Sequence, residues 1–210
     1  MTGPARKLKK SAVKNIVRFP AINANGGKVI LVESILESKF CLHLEFDPTV
    51  QAYFPQPQTF KVPDRDGETI YTPDFEVHYT SGARKYVEVK PSKRAASVEY
   101  QQLFARFEST LINPNYKFVV VDERAIYQRP LLSNYEKLYQ YRKRPLLEMA
   151  NLHHCAADIR RSMALSQLIA RLGNRASLRE IYSWLALGYL RFDMHSETLT
   201  MSTEVEFYVD

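Results

Sequence analysis

The chain has very little cysteine, with only Cys41 and Cys155 in 210 residues. Two thiols build no disulfide framework, and their scarcity fits a reducing compartment. No apolar run reaches membrane-spanning length, and the N-terminus lacks the apolar stretch of a secretory signal. The expectation is a soluble, cytoplasmic protein with no membrane partner. No internal repeat and no low-complexity segment is visible. His153-His154-Cys155 resembles a metal cluster on paper, but adjacent helical ligands diverge and no second Cys/His pair follows, so no metal site is expected there.

What is present is a globular composition, 45% hydrophobic, with 13 Tyr, 11 Phe and one Trp. Rings in that number can fill a core and also flank a nucleic-acid groove. The net charge is +6, which favours polyanionic partners. Part of the surplus lies in Arg6, Lys7, Lys9, Lys10, Lys14 and Arg18. This segment reads equally as a solvated terminus or a DNA-contacting arm.

Along the chain, residues 1–28 read as a basic, irregular arm. Glu33–Phe46 has helical spacing of Leu36, Phe40 and Leu44, stopped by Asp47-Pro48. Glu37 sits beside that apolar stripe. Val50–Val62 is extended but broken by Pro55 and Pro57. Asp66-Gly67 predicts a turn, Ile70–Tyr79 a strand, Ser81-Gly82 a second turn, and Arg84–Lys90 a further strand ended by Pro91. Ser97 caps a helix to Ser109 whose inner face is Leu103, Phe104 and Phe107. Tyr116–Val121 reads as a buried, parallel strand, and Ser133–Tyr141 as a helix. The order implies an α/β layer with a mixed sheet flanked by helices. Arg142-Lys143-Arg144-Pro145 marks an expected boundary, giving one domain over residues 29–145 and a second over 146–210. The second combines helices, among them Leu178–Leu187 capped by Ser177 and ended by Gly188, with two strand-like runs, Tyr189–Met194 and Val205–Val209. That is a winged-helix-like pattern.

Asp74 and Glu88-Val89-Lys90 carry the chemistry. Strand alternation puts Glu88 and Lys90 on one face with Val89 pointing away. Pairing through the Ser81-Gly82 turn brings Asp74, placed within the preceding strand, next to Glu88. Like charges so close are costly unless a divalent cation neutralises them. Phosphodiester hydrolysis requires hard oxygen ligands for such a cation, an activated water and charge neutralisation at phosphorus. Glu37 can add a carboxylate, and Lys90 can orient or deprotonate the water. A bare Glu-Val-Lys is also an ordinary amphipathic strand tripeptide with a solvent-facing charge pair. Lys93 and Arg94, just beyond, suit a solvated loop and a phosphate contact comparably.

Read together, Glu33–Phe40, Leu44–Pro48, Gln56-Pro57, Tyr71–Phe75, Val87–Pro91, Leu131–Asn134 and Leu138–Arg142 resemble the motifs of TnsA-type transposon endonucleases, which carry the PD-(D/E)xK signature of restriction-endonuclease-like folds. The resemblance covers about residues 29–145 and reaches the C-terminal region only by architecture. It implies that Glu37, Asp74 and Glu88 hold one or two Mg²⁺ (or Mn²⁺) ions and that Lys90 is the catalytic lysine. Glu33 is the competing helix carboxylate and is ranked below Glu37. Lys93, Arg94, Lys7, Lys9 and Lys10 become candidate DNA contacts. The family's role is bacterial. It cuts the non-transferred strand at the 5′ ends of a transposon, with a TnsB-type transposase and a TnsC-type AAA+ regulator as partners on double-stranded DNA. CRISPR-associated transposons also encode short members. Alternatives are a stand-alone restriction or repair nuclease of the same fold, and a non-catalytic DNA-binding adaptor. The expected recognition helix Leu178–Leu187 carries few basic residues and the wing carries Glu197, Glu204 and Glu206, which argues against strong DNA binding by that half and suits a protein contact.

Overall fold

The computed structural model describes residues 16–24, 26–64 and 67–209. These fall into two compact units, one ending at Tyr127 and the other beginning at Gln128.

The first unit opens with β1 (Val17–Pro20) and β2 (Val29–Val32), an antiparallel pair with Val17 opposite Val32. The expected irregular lead-in is therefore partly a hairpin. Its alternation buries Phe19, Ile30 and Val32. Helix α1 (Ile35–Phe46) starts where Ser34 caps it, the Ser34 side chain accepting the Glu37 N–H. Then come β3 (Val50–Pro55), β4 (Phe60–Asp64), β5 (Gly67–Tyr71), β6 (Phe75–Tyr79) and β7 (Arg84–Val89). The short α2 (Ser92–Ala95) and the longer α3 (Val98–Thr110) follow, then β8 (Tyr116–Val121) and α4 (Glu123–Ile126).

The main sheet has the order β3-β6-β7-β8, antiparallel except for the parallel β7–β8 pair. The two faces are covered by different helices. Phe40 of α1 packs on Phe75, with ring centroids 5.6 Å apart. On the other face Phe107 of α3 lies 5.9 Å from Tyr86 and 5.0 Å from Phe118. Burying such a ring stabilises the fold by about 1.5–3 kcal/mol.

Two strand expectations need correction. The run 70–79 is not one strand, because Thr72-Pro73-Asp74 interrupts it. Pro73 has no N–H to donate to a ladder, and β5 pairs with β4 as a separate hairpin while β6 joins the main sheet. β8 is parallel as expected but not fully buried, since it ends the sheet order and exposes Lys117 and Val119.

The second unit contains α5 (Leu131–Lys143), α6 (Met149–Asp158), β9 (Met163–Ala164), α7 (Leu165–Leu172), a 3₁₀ turn at Gly173–Arg175, α8 (Leu178–Leu187), β10 (Leu190–Arg191) and β11 (Glu204–Phe207). The three short strands form one antiparallel sheet ordered β10-β11-β9. α8 begins with a reciprocal capping box between Ser177 and Glu180 and ends at Gly188, whose φ of +82° suits glycine. α5, expected to close the first domain, packs within this unit instead. Tyr141 lies 5.0 Å from Tyr182, and Arg142 Nη1 donates to the Ala186 carbonyl at 3.1 Å. Among the described residues no helix is long and apolar enough to cross a membrane.

Candidate active site

Register decides which side chains meet. Gly82, at φ +84°, donates to the Tyr79 carbonyl and closes the turn between β6 and β7. That turn sets Phe75 opposite Val87, which brings Asp74 to the level of Glu88. The Asp74 carboxylate accepts the Val89 N–H at 2.8 Å. Asp74 thus lies in the break before β6 rather than within a strand, and the break frees its side chain to reach across.

Glu88 is buried, only 3% exposed, and both of its oxygens are engaged. Lys90 Nζ lies 2.5 Å from Oε1, and the Tyr71 hydroxyl donates to Oε2 at 2.8 Å. Alternation along β7 thus places Glu88 and Lys90 together, as the tripeptide implied. The Lys90 ammonium also sits 4.9 Å from the centroid of the Tyr100 ring. Glu37 arrives from α1 at 6% exposure. Its oxygens accept from the Glu33 N–H and the Ser34 hydroxyl, each at 2.8 Å. Glu33 therefore contributes its backbone to holding Glu37.

The electrostatics follow from this packing. Burial raises the Asp74 pKa well above the carboxylate range, and the Glu88 and Glu37 charges add to it, opposed by Lys90 and the Val89 N–H. Burial likewise raises Glu37, against its Glu33 and Ser34 bonds, with Glu33 and Glu88 adding repulsion. For Lys90, burial alone would lower the pKa, but Glu88 and Asp74 outweigh it and hold the ammonium above the ordinary lysine range. Tyr71 is raised by burial and then by Glu88, so its hydroxyl stays a donor.

Asp74 and Glu88 face Lys90, and Glu37 lies near both carboxylates, a set of hard oxygens with surplus negative charge. That composition fits Mg²⁺ or Mn²⁺. The spacing is not that of a closed cage. Among the described residues no three His, Cys, Asp or Glu side chains stand in ligand-ready geometry. The oxygens of all three carboxylates are instead partly occupied by hydrogen bonds.

Lys93 and Arg94 are exposed on α2, directly after Lys90-Pro91. α2 is anchored by Glu123, whose carboxylate accepts the Ser92 N–H and hydroxyl. Lys7, Lys9 and Lys10 lie outside the described residues. His153 and His154 are exposed while Cys155 is buried, so that tripeptide forms no cluster.

Three residues escaped the sequence reading. Tyr71 and Tyr100 touch the charged pair from β5 and α3, and nothing local to either signals that contact. Gln56, buried, is the one described non-glycine residue at positive φ, +46°, and its N–H donates to the Asp74 carbonyl at 2.8 Å. Its place in Gln56-Pro57 was the available signal.

Residues 47–123 match the family model TnsA-like endonuclease N terminal. That stretch is thus similar to the N-terminal domain of TnsA-like endonucleases. The matched span takes in Asp74, Glu88, Lys90 and the whole main sheet. Glu37 and α1 precede it, so the helix carboxylate rests on geometry alone. Comparison with curated proteins found no match.

Proposed function

We propose that this chain is the metal-dependent DNA endonuclease of a heteromeric transposase, hydrolysing the non-transferred strand at the 5′ ends of a transposon. The observation that carries the reading is the meeting of Asp74, Glu88 and Lys90 inside the stretch that is similar to a TnsA-like domain, with Glu37 of α1 close to the two carboxylates.

Asp74, Glu88 and Glu37 are the residues that would hold one or two Mg²⁺ or Mn²⁺ ions, which supply charge neutralisation at phosphorus and acidify a water. Glu88 is oriented by Tyr71 and Lys90 together. Glu88 and Asp74 favour the ammonium form of Lys90, which suits it to donate hydrogen bonds to the attacking water or a phosphate oxygen. Val89, pointing away, keeps the strand packed. Lys93 and Arg94 on α2 would meet the DNA backbone beside the cut.

The second unit supports a winged-helix reading, since α7 and α8 lie between β9 and β10 and the sheet order is β10-β11-β9. α5 covers a flank of α8 through Tyr141 and Arg142, which disfavours base readout by that helix. The exposed Glu197, Glu204 and Glu206 suit a protein partner, and a TnsC-type AAA+ regulator is the proposed one, with a TnsB-type transposase completing the complex.

The test is strand-specific cleavage of transposon-end DNA with the partner proteins present. Asp74→Ala is expected to abolish 5′-strand cuts while the complex still assembles. Wild-type cutting by this variant would remove the site assignment. Nicking by the wild-type chain without partners would move the reading to a stand-alone nuclease.

A further inference from the structure

Residues 142–179 hold eight arginines and lysines against two carboxylates, Glu148 and Asp158. The structure gathers part of that surplus in one place. Arg160, Arg161 and Arg171 line an open cleft of about 450 Å³, with Ala157, Asp158 and Ile159. Its single carboxylate is already taken, because Arg175 Nη1 donates to Asp158 at 3.0 Å. That bond holds Asp158 below the usual carboxylate range against slight desolvation, and the charges of Arg175, Arg171 and His154 add to the effect. Arg160 is exposed and donates Nε to the Ala157 carbonyl at 3.2 Å. Arg161 and Arg171 are exposed, and neither forms a direct ion pair among the described residues, Arg171 acting on Asp158 only at longer range.

Guanidinium forks pair bidentately with phosphate oxygens, and three of them in one cleft match a run of phosphates. The surface lining the cleft is more polar than apolar, which suits a phosphate better than an apolar side chain. Arg171 sits in the last turn of α7, an element whose neighbour α8 is partly covered by α5. A contact here supplies position and affinity without reading bases.

We propose that the Arg160–Arg161–Arg171 cleft binds the sugar-phosphate backbone of duplex DNA. The proposal rests on the reading of the first unit as acting on DNA. It makes the second unit a DNA-positioning element on its arginine side, with its acidic strand end facing a protein.

The experiment measures binding of the full chain to fluorescein-labelled duplexes of two unrelated sequences in metal-free buffer, across a salt series. R160E/R161E/R171E is expected to weaken binding about tenfold or more on both sequences and to reduce the slope of log Kd against log salt by about 2.7, or about 0.9 per phosphate contact. R160Q/R161Q/R171Q, melted alongside, keeps the slope measurement valid if charge reversal harms folding, and its expected slope change is the same. An unchanged slope in a folded variant overturns the proposal. So does a loss confined to one DNA sequence, or a loss of polyglutamate binding with the DNA slope intact. Because no cleavage is needed, DNA binding that depends on the cleft in a chain that never cuts would sink the nuclease reading alone. Normal cutting with an unchanged slope would sink the cleft alone.

Discussion

The two units differ in the polar groups they bury, and among the described residues only the first, which also buries the neutral Gln56, buries carboxylates. The first buries charge, with Glu37, Glu45 and Glu88 all nearly inaccessible. The second buries neutral groups, Asn134, Ser183 and Thr203. Asn134 shows the economical solution. Its amide donates to the Met194 and Glu197 carbonyls and its oxygen accepts the Leu199 N–H, so every partner is satisfied. Glu45 achieves the same with a charge, accepting from the Ile22 and Asn23 N–H groups and the Tyr53 hydroxyl. Glu37 and Asp74 differ, because burial raises their proton affinity and neighbouring carboxylates, Glu88 among them, add repulsion. A fold needs no such arrangement for stability. Carboxylates that are desolvated and also set against one another distinguish the candidate site from structural polar burial.

That contrast can be broken at its strongest point first. Asp74→Asn removes a repelled carboxyl while keeping its shape. Cleavage is expected to vanish while the melting temperature stays level or rises, and a marked fall in melting temperature would show Asp74 to be structural. Tyr71→Phe deletes one hydroxyl that orients Glu88. It is expected to lower cleavage by about 10–100-fold and to raise the Mg²⁺ concentration for half-maximal rate. Ca²⁺ titration by calorimetry gives a readout free of catalysis, and unchanged affinity there would count against the positioning role.

In the second unit, Asn134→Leu leaves the Met194 and Glu197 carbonyls and the Leu199 N–H unpaired. A loss of about 2–4 kcal/mol in urea unfolding is expected, without any change in metal dependence. The smallest effect concerns pH. Asp74 and Glu37 have raised pKa values in the folded state, so their contribution to stability is present below the ordinary carboxylate range of about pH 4 and is lost as pH rises through the folded values. Exposed acids such as Asp158 and Asp193 are shifted down and act in the opposite sense. The difference between wild type and Asp74→Asn isolates the site. Wild type should lose ground to the variant as pH rises toward neutrality, and excess Mg²⁺ should close the gap. A gap that ignores Mg²⁺ would separate the repulsion from metal binding.

Short-range physics was legible before any coordinates. The Ser97 and Ser177 caps, the stripe that buries Phe40 and Leu44, and the alternation that pairs Glu88 with Lys90 all depend on residues a few positions apart. The run 70–79 misled because alternation continues across Pro73, and only pairing reveals that β5 and β6 belong to different sheets. The arginine cleft was illegible for the same reason, since Arg160 and Arg171 are separated by β9 and most of α7.

The amino-acid sequence by itself determined the site's cast: an aspartate, a Glu-Val-Lys strand and a helix glutamate in the right order. Only the tertiary structure decided their state. Tyr71 reaches Glu88 from 17 residues away, and Asp74 reaches the Val89 N–H from 15. Desolvation comes from α1 and α3 closing on opposite faces of the sheet. Local pattern depends on neighbours along the chain, whereas burial and mutual repulsion depend on neighbours in space, and those exist only once the chain has packed.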